Sequence, residues 1–279
     1  MSAGTQGEVL LQARGLGKSY VQERAFTREK FHLRAFEGID LSVRRGTTFA
    51  IVGESGAGKS SLARCLALLE APECGEIRIE GREVTRASRS ELFALRRNVQ
   101  LIFQDATAAL NERFTAAEIV AEPMRIQGLF TPAERRERAL EQMEQVGLAR
   151  SDERKRAREF SGGQRQRLAI ARSLSLEPNL LILDEALANL DLANQELILR
   201  LLGELQDQRG LTYIHISHNL LLVSQIADEV ALLHEGRIVE QGRAADFFAH
   251  PRTSYSNELI RALPPLETIL RKRLQEEPA

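Results

Sequence analysis

Gly53-Glu54-Ser55-Gly56-Ala57-Gly58-Lys59-Ser60 is the stretch on which the reading of this chain turns. It fits G-x-x-x-x-G-K-[ST] and stands between strand character over residues 39–52 and helical spacing over residues 60–69. Glycines at these positions let the backbone fold tightly, so that N–H groups point inward at phosphate oxygens. The helix that follows adds the positive end of its dipole. In such a loop Lys59 reaches the β- and γ-phosphates of a nucleotide and the Ser60 hydroxyl binds Mg²⁺. Gly53, Ser55, Gly56, Gly58 and Ser61 complete the expected cradle.

Working outward, residues 8–14 and 39–52 read as strands, the latter broken by the turn signal Arg44-Arg45-Gly46. Residues 21–34 are polar and irregular and read as a surface loop or hairpin extension. Short strands follow near residues 75–80 and 98–102. From about residue 106 to 159 helical patterns dominate, and Pro132 stands where a first helical turn begins, with Thr131 as N-cap. Residues 132–158 are dense in Arg and Glu. Acids are mixed in throughout, so the run reads as a solvated helical face carrying Glu–Arg pairs and not as a nucleic-acid surface. From Gly163 helix–strand alternation returns: a buried strand at 180–183, a helix at 192–208, a strand at 211–216. A hairpin at 230–233 and 237–241 turns on Glu235-Gly236. The alternation predicts an α/β fold, a largely parallel sheet with helices on both faces, interrupted by a helical insertion.

Composition narrows the function classes. The chain has 279 residues, 43% hydrophobic and 28% charged, which excludes wholesale disorder. Lys and Arg number 38 against 39 Asp and Glu, so no basic excess points to nucleic acid and no acidic excess to a solvating tail. There is no Trp, and aromatic residues are only 5%, which argues against an aromatic carbohydrate- or base-stacking surface. Cys65 and Cys74 are too few for a disulfide framework or a four-ligand zinc or iron–sulfur site, and read as free thiols in a reducing compartment. No run of about 18 apolar residues predicts a membrane span. Met1 to Gln6 lacks the basic and apolar regions of a signal peptide. The expectation is a soluble, cytosolic protein that can still work at a membrane through a partner.

Two further motifs carry chemistry. Leu180-Leu181-Ile182-Leu183-Asp184-Glu185 is a buried strand ending in carboxylates at the sheet edge where α/β ligands bind. There Asp184 holds the Mg²⁺ shell, and Glu185 orients or deprotonates an attacking water. Ser161-Gly162-Gly163-Gln164 opens a helix rich in Arg165, Arg167 and Arg172, and its backbone N–H groups and hydroxyl suit phosphate. The Gly53–Ser60 loop already holds the one γ-phosphate a chain presents. A second such site therefore points to a nucleotide on another subunit.

With these motifs the chain resembles an ATP-binding cassette ATPase. The resemblance implies a P-loop NTPase with a mixed β-sheet core, N-terminal antiparallel β elements and an inserted α-helical subdomain. It covers residues 8–265, with the subdomain at about 106–160 and a short tail at 266–279. It implies that Tyr20 stacks on adenine and that Gln104, after Leu101-Ile102-Phe103, touches Mg²⁺ and water. It places Ala188-Asn189-Leu190-Asp191 at the D-loop and makes His218 the switch histidine that contacts the γ-phosphate. His32, His215, His234 and His250 match no motif and read as structural or exposed.

Within the family the chain is similar to importers of peptides, nickel and metal chelates. Glu159-Phe160 before the Ser-Gly-Gly-Gln turn and Arg165-Gln166-Arg167 after it carry that likeness. So do Phe103-Gln104-Asp105 followed by Asn111 and Arg113, the insertion after Tyr20, and His250-Pro251-Arg252-Thr253. With no cysteine after Cys74, the chain resembles the subunit type without an iron–sulfur cluster. The resemblance implies ATP and Mg²⁺ as cofactors. Its implied partners are a second ATPase subunit, identical or different, two transmembrane permease subunits and, indirectly, a periplasmic or extracellular solute-binding protein. It implies a peripheral place on the cytoplasmic face of the inner membrane. An exporter subunit or a non-transport ATPase is the alternative. Ala186, Asn189 and Asn219 stand where Pro, Ala and Asp are usual, and none removes a group with a direct chemical role.

Overall fold

The computed structural model describes residues 7–23, 30–104, 109–188 and 190–263. The chain forms two compact units, one joining residues 1–87 to 213–279 and the other comprising 88–212. The first segment carries β1 (Val9–Glu23), β2 (Lys30–Arg44), β3 (Thr48–Val52), α1 (Lys59–Leu66), β4 (Cys74–Ile79) and β5 (Arg82–Glu83). The inserted unit carries α2 (Arg89–Leu95), β6 (Val99–Ile102), α3 (Ala116–Ile126), α4 (Pro132–Gln145), α5 (Gly162–Leu174), β7 (Leu180–Asp184) and α6 (Leu192–Arg209). The return segment carries β8 (Thr212–Ser217), α7 (Leu220–Ile226), β9 (Glu229–His234), β10 (Arg237–Arg243), α8 (Ala244–Ala249) and α9 (Ser254–Arg261).

In the first unit an antiparallel sheet runs β2-β1-β4-β5. β1 and β2 pair from Val9↔Arg44 to Glu23↔Lys30, so the described residues of the polar stretch beyond Tyr20 are paired strand. The ladder is held by backbone pairing, which does not require an apolar alternation. Nearer the core Leu11, Leu16, Phe36, Ile39, Val43 and Ile77 are fully buried. In the other sheet β3 lies parallel to both β8 and β9, and β10 returns antiparallel to β9. All of β3 is buried, as a strand covered on both faces must be. Ala50 and Val52 pack with Val223, Val230, Leu232, Phe247 and Phe248. The Asp228 carboxylate accepts the Thr48 N–H at 2.8 Å and fixes where β3 begins. Val52 stands opposite Ser217, so Gly53 and His218 leave the same edge of this sheet.

In the second unit β6 and β7 are parallel, with Ile102 opposite Leu183, and α3, α4 and α5 pack on one another. Four of its helices share one device. Ser88/Glu91, Thr115/Glu118, Thr131/Glu134 and Ser161/Gln164 form reciprocal capping boxes on α2, α3, α4 and α5. The Thr131 cap and Pro132 start agree with the sequence. The helix expected over 60–69 is shorter: α1 stops at Leu66, Leu68 takes φ 59°, and the N–H groups of Leu69 and Glu70 return to the Arg64 carbonyl. Among the described residues no helix is long and apolar enough to cross a membrane.

Candidate functional site

The loop from Gly53 to Ser60 rests on backbone at both ends. A Cβ on Gly53 would strike the Leu233 carbonyl oxygen, and one on Gly58 the Ala35 carbonyl oxygen. Gly58 also has φ +100°, where an L side chain is strained. Between them Glu54, Ser55 and Gly56 stand exposed. Lys59 is buried, and its Nζ donates to the Gly53 and Glu54 carbonyls at 2.8 Å each. Two of the three ammonium hydrogens thus brace the loop from within. No side chain caps α1 and no acid lies in its first turn, so the positive end of the helix faces the loop unneutralised. Ser60 is half-buried in that first turn, and the Ser61 hydroxyl accepts from Arg64 at 3.2 Å.

Tyr20 is held by its hydroxyl. It donates to Glu70 at 2.6 Å and accepts from Arg64 at 3.2 Å, and the Lys18 ammonium lies 5.5 Å from the ring centroid. Burial alone would raise the Glu70 pKa, but the hydrogen bonds from Tyr20 and Arg64 bring it below the usual carboxylate value. Glu70 and Arg64 are functional candidates that no sequence motif marks. His218 is exposed just beyond β8, and Asn219 beside it caps α7 by accepting the Leu222 N–H at 3.1 Å. Asn caps as well as Asp does, which accounts for that departure.

In the second unit Asp184 is buried at the end of β7. Glu185 follows with φ 48°, a left-handed turn that re-aims the chain at the strand end. Gln104, just beyond β6, donates from Nε2 to Glu185 Oε2 at 3.1 Å. Ala186 is buried in the turn that follows.

Ser161 and Gln164 are turned onto their own helix end: the Ser161 N–H donates to Gln164 Oε1 at 2.9 Å, and the Gln164 N–H donates to Ser161 Oγ at 3.3 Å. Gly162 is exposed, whereas a Cβ on Gly163 would strike the Asn194 amide. Asn194 in turn donates from Nδ2 to Asp191 at 2.7 Å, so the turn and the D-loop position meet through a residue the sequence did not flag. Asn189 and Asp105 lie outside the described residues.

The family model for ABC transporters matches residues 36–188, from the strand before the Gly-rich loop past the Asp184-Glu185 pair. This chain belongs to the ABC transporter family. The di/tripeptide transport ATP-binding protein DppF of Pseudomonas aeruginosa is 40% identical over 259 residues, 93% of this chain and 80% of that protein. A putative peptide import ATP-binding protein of Brucella ovis is 42% identical over 255 residues, 91% of this chain and 78% of its own length. Among solved structures, the dimeric post-hydrolysis state of the ATP-binding cassette MJ0796, bound to ADP and Pi, superposes with a TM-score of 0.74 at 26% identity. It covers 84% of this chain and 99% of that one. The cbiO1 component of the cbiONQ transporter of Clostridium perfringens gives 0.75 at 27% identity, covering 95% and 99%. The α/β fold with mixed and antiparallel sheets expected of an ABC ATPase is the fold observed.

The donors in this ABC chain suit a hard cation. The hydroxyl of Ser60, the amide of Gln104 and the carboxylate of Asp184 offer oxygen, which Mg²⁺ prefers. Among the described residues no cluster of three or more His, Cys, Asp or Glu is arranged for a metal.

Proposed function

We propose that this chain is the ATP-hydrolysing subunit of an importer for peptides. The observation that carries the reading is the Gly53–Ser60 loop: exposed at its crown, braced by buried Lys59, and running into a helix terminus that no side chain caps. The names of its relatives favour peptide import over export or a non-transport role. Nickel or metal-chelate cargo rests on the sequence resemblance alone.

In this reading backbone N–H groups of Gly53, Ser55, Gly56, Gly58 and Ser61, with Lys59, bind the phosphates, and Tyr20 lies against adenine. Phosphoryl transfer to water needs mainly positioning and charge neutralisation. Mg²⁺, when bound through Ser60, Gln104 and Asp184, supplies positive charge to the phosphate oxygens. Glu185, steered by Gln104, orients the water and takes its proton, and His218 contacts the γ-phosphate. Ser161, Gly162, Gly163 and Gln164 face the ATP of a second cassette, identical or different. The dimeric state of a cassette of the same fold supports that pairing.

The domain assignment is an ATPase domain over 8–265 with a helical subdomain near 106–160. The chain works from the cytoplasmic face of the membrane on two permease subunits, served by a solute-binding protein. The test is twofold. ATP hydrolysis by the purified chain should vanish in Lys59→Ala, and a permease should copurify in mild detergent. Hydrolysis that survives Lys59→Ala would overturn the site; a chain that never follows the membrane fraction would overturn the transport role.

A further inference from the structure

The second residue of the phosphate loop has a side chain that no step above uses. The Glu54 carbonyl accepts one of the Lys59 bonds, while its exposed side chain is near enough to Tyr255 of α9 for its charge to act on the phenol. The Tyr255 hydroxyl is sealed from solvent and makes no hydrogen bond of good geometry. Burial and then the Glu54 charge push the phenol pKa up. The Tyr255 ring stacks on His234, with centroids 3.9 Å apart and planes tilted by 37°. His234 closes β9, and the carbonyl of Leu233 just before it is the one against which Gly53 rests. Gly53 is thus backed by Leu233, Glu54 by Tyr255, and Tyr255 by His234.

α9 is itself anchored. The nearly buried Glu240 of β10 accepts the N–H of Arg252 at 3.0 and 3.1 Å, the N–H of Thr253 at 3.1 Å, and the hydroxyl of Ser256. Burial would raise the Glu240 pKa, but these bonds outweigh it and hold the carboxyl below its usual value. Leu259 and Ile260 of the same helix pack on the Val52–Phe247 cluster. The position of Tyr255 is therefore fixed from outside the phosphate loop.

We propose that Tyr255 is a positioning residue of the nucleotide site: by bearing on Glu54 it sets the Gly53–Glu54 carbonyls and, through them, the Lys59 ammonium. This rests on the reading of Gly53–Ser60 as an ATP site. It makes α9 and the loop one mechanical unit, so that what disturbs the helix is felt as nucleotide affinity.

The experiment is a titration of the full chain with MgATP for wild type, Tyr255→Ala, Tyr255→Phe, Glu54→Gln and the Tyr255→Ala/Glu54→Gln double variant, with Lys59→Ala as control. Tyr255→Ala should weaken ATP about fivefold or more, with Tyr255→Phe between it and wild type. The double variant should be no weaker than the weaker single one. In steady state the KM for ATP should rise by a larger factor than kcat falls, whereas general destabilisation would cut the active fraction and leave KM in place. A folded Tyr255→Ala with wild-type affinity, or strictly additive losses, would overturn the proposal. Should Tyr255→Ala fail to fold, the cycle is run with Tyr255→Phe and read the same way. Wild-type affinity that Lys59→Ala does not alter would instead bring down the reading of the loop, a result separable from the other.

Discussion

Gln104 and Glu185, 81 positions apart, are joined by a hydrogen bond of 3.1 Å from the Gln104 amide to the Glu185 carboxylate. The parallel pairing of β6 and β7 brings them to one edge, and the bond uses one of the two carboxylate oxygens. Replacing Glu185 by Gln keeps the shape and removes the proposed base. Hydrolysis should fall by ~100-fold or more while ATP still binds and the closed pair accumulates. Gln104→Ala removes this one donor and keeps the carboxylate, and a loss of roughly 10- to 100-fold is expected. Single-turnover hydrolysis separates the two; near-normal turnover in Glu185→Gln would remove it as the base.

Gly58 cannot accept a side chain. Gly58→Ala drives a methyl into the Ala35 carbonyl at an unfavourable φ, at a cost of about 1–3 kcal/mol. A lowered denaturation midpoint together with lost ATP binding is the expected result. Gly56, whose added Cβ meets nothing within 4 Å, has no such contact and differs only through its φ of +86°. Gly56→Ala should be the milder of the two, and urea titration with ATP binding on both variants checks the order.

His215 stands in the middle of β8, fully buried, with neither ring nitrogen hydrogen-bonded, and burial holds its pKa down at about 4. An unfolded imidazole titrates near ~6.5. Between these values the unfolded chain binds the extra proton, so the folded state is at full strength above the higher value and weakens as pH falls toward the lower. The residue should account for about 2 kcal/mol of the loss between about pH 7.5 and pH 5. His215→Leu should flatten that slope in urea titrations at the two pH values. An unchanged slope would mean that the imidazole is not neutralised by burial.

Glu240 fastens α9, and its replacement by Leu strands the N–H groups of Arg252 and Thr253 and the Ser256 hydroxyl. Loss of buried acceptors costs on the order of 1–3 kcal/mol. Because the folded carboxyl is held below its unfolded pKa, the wild-type contact is at full strength at neutral pH. It is lost as pH falls through the folded value. Amide exchange over residues 252–261 should quicken in the variant and, in wild type, under acid.

Much of this was readable in the residues, and the parts that were not share a cause. The Gly-rich loop, the 180–183 strand, the Thr131–Pro132 helix start and the Glu235-Gly236 hairpin all declare themselves within a few positions. α2 was missed although Ser88 and Glu91 spell a capping box, because the helix has no buried residue and so no apolar stripe. The polar stretch after Tyr20 reads as a surface loop or a hairpin extension, and composition does not choose between them because the β1–β2 ladder is made of backbone. Glu70 under Tyr20, Asn194 against Gly163 and Tyr255 beside Glu54 are contacts between residues 31 to 201 positions apart, by their numbering. No local pattern encodes them. They exist only once sheets and helix ends have converged.

Gly162 is exposed at the first turn of α5, with an ordinary φ and open space where a Cβ would go. Its own fold gives no reason for glycine there. Alanine at that position should firm the helix by a few tenths of a kcal/mol. A heat-resistance screen on the single chain would therefore score Gly162→Ala as an improvement, while a screen on the working pair would reject it. On the proposed pairing, the letter at position 162 answers to the neighbouring cassette, and a protein engineer optimising one polypeptide at a time would erase it without any warning from the molecule that carries it.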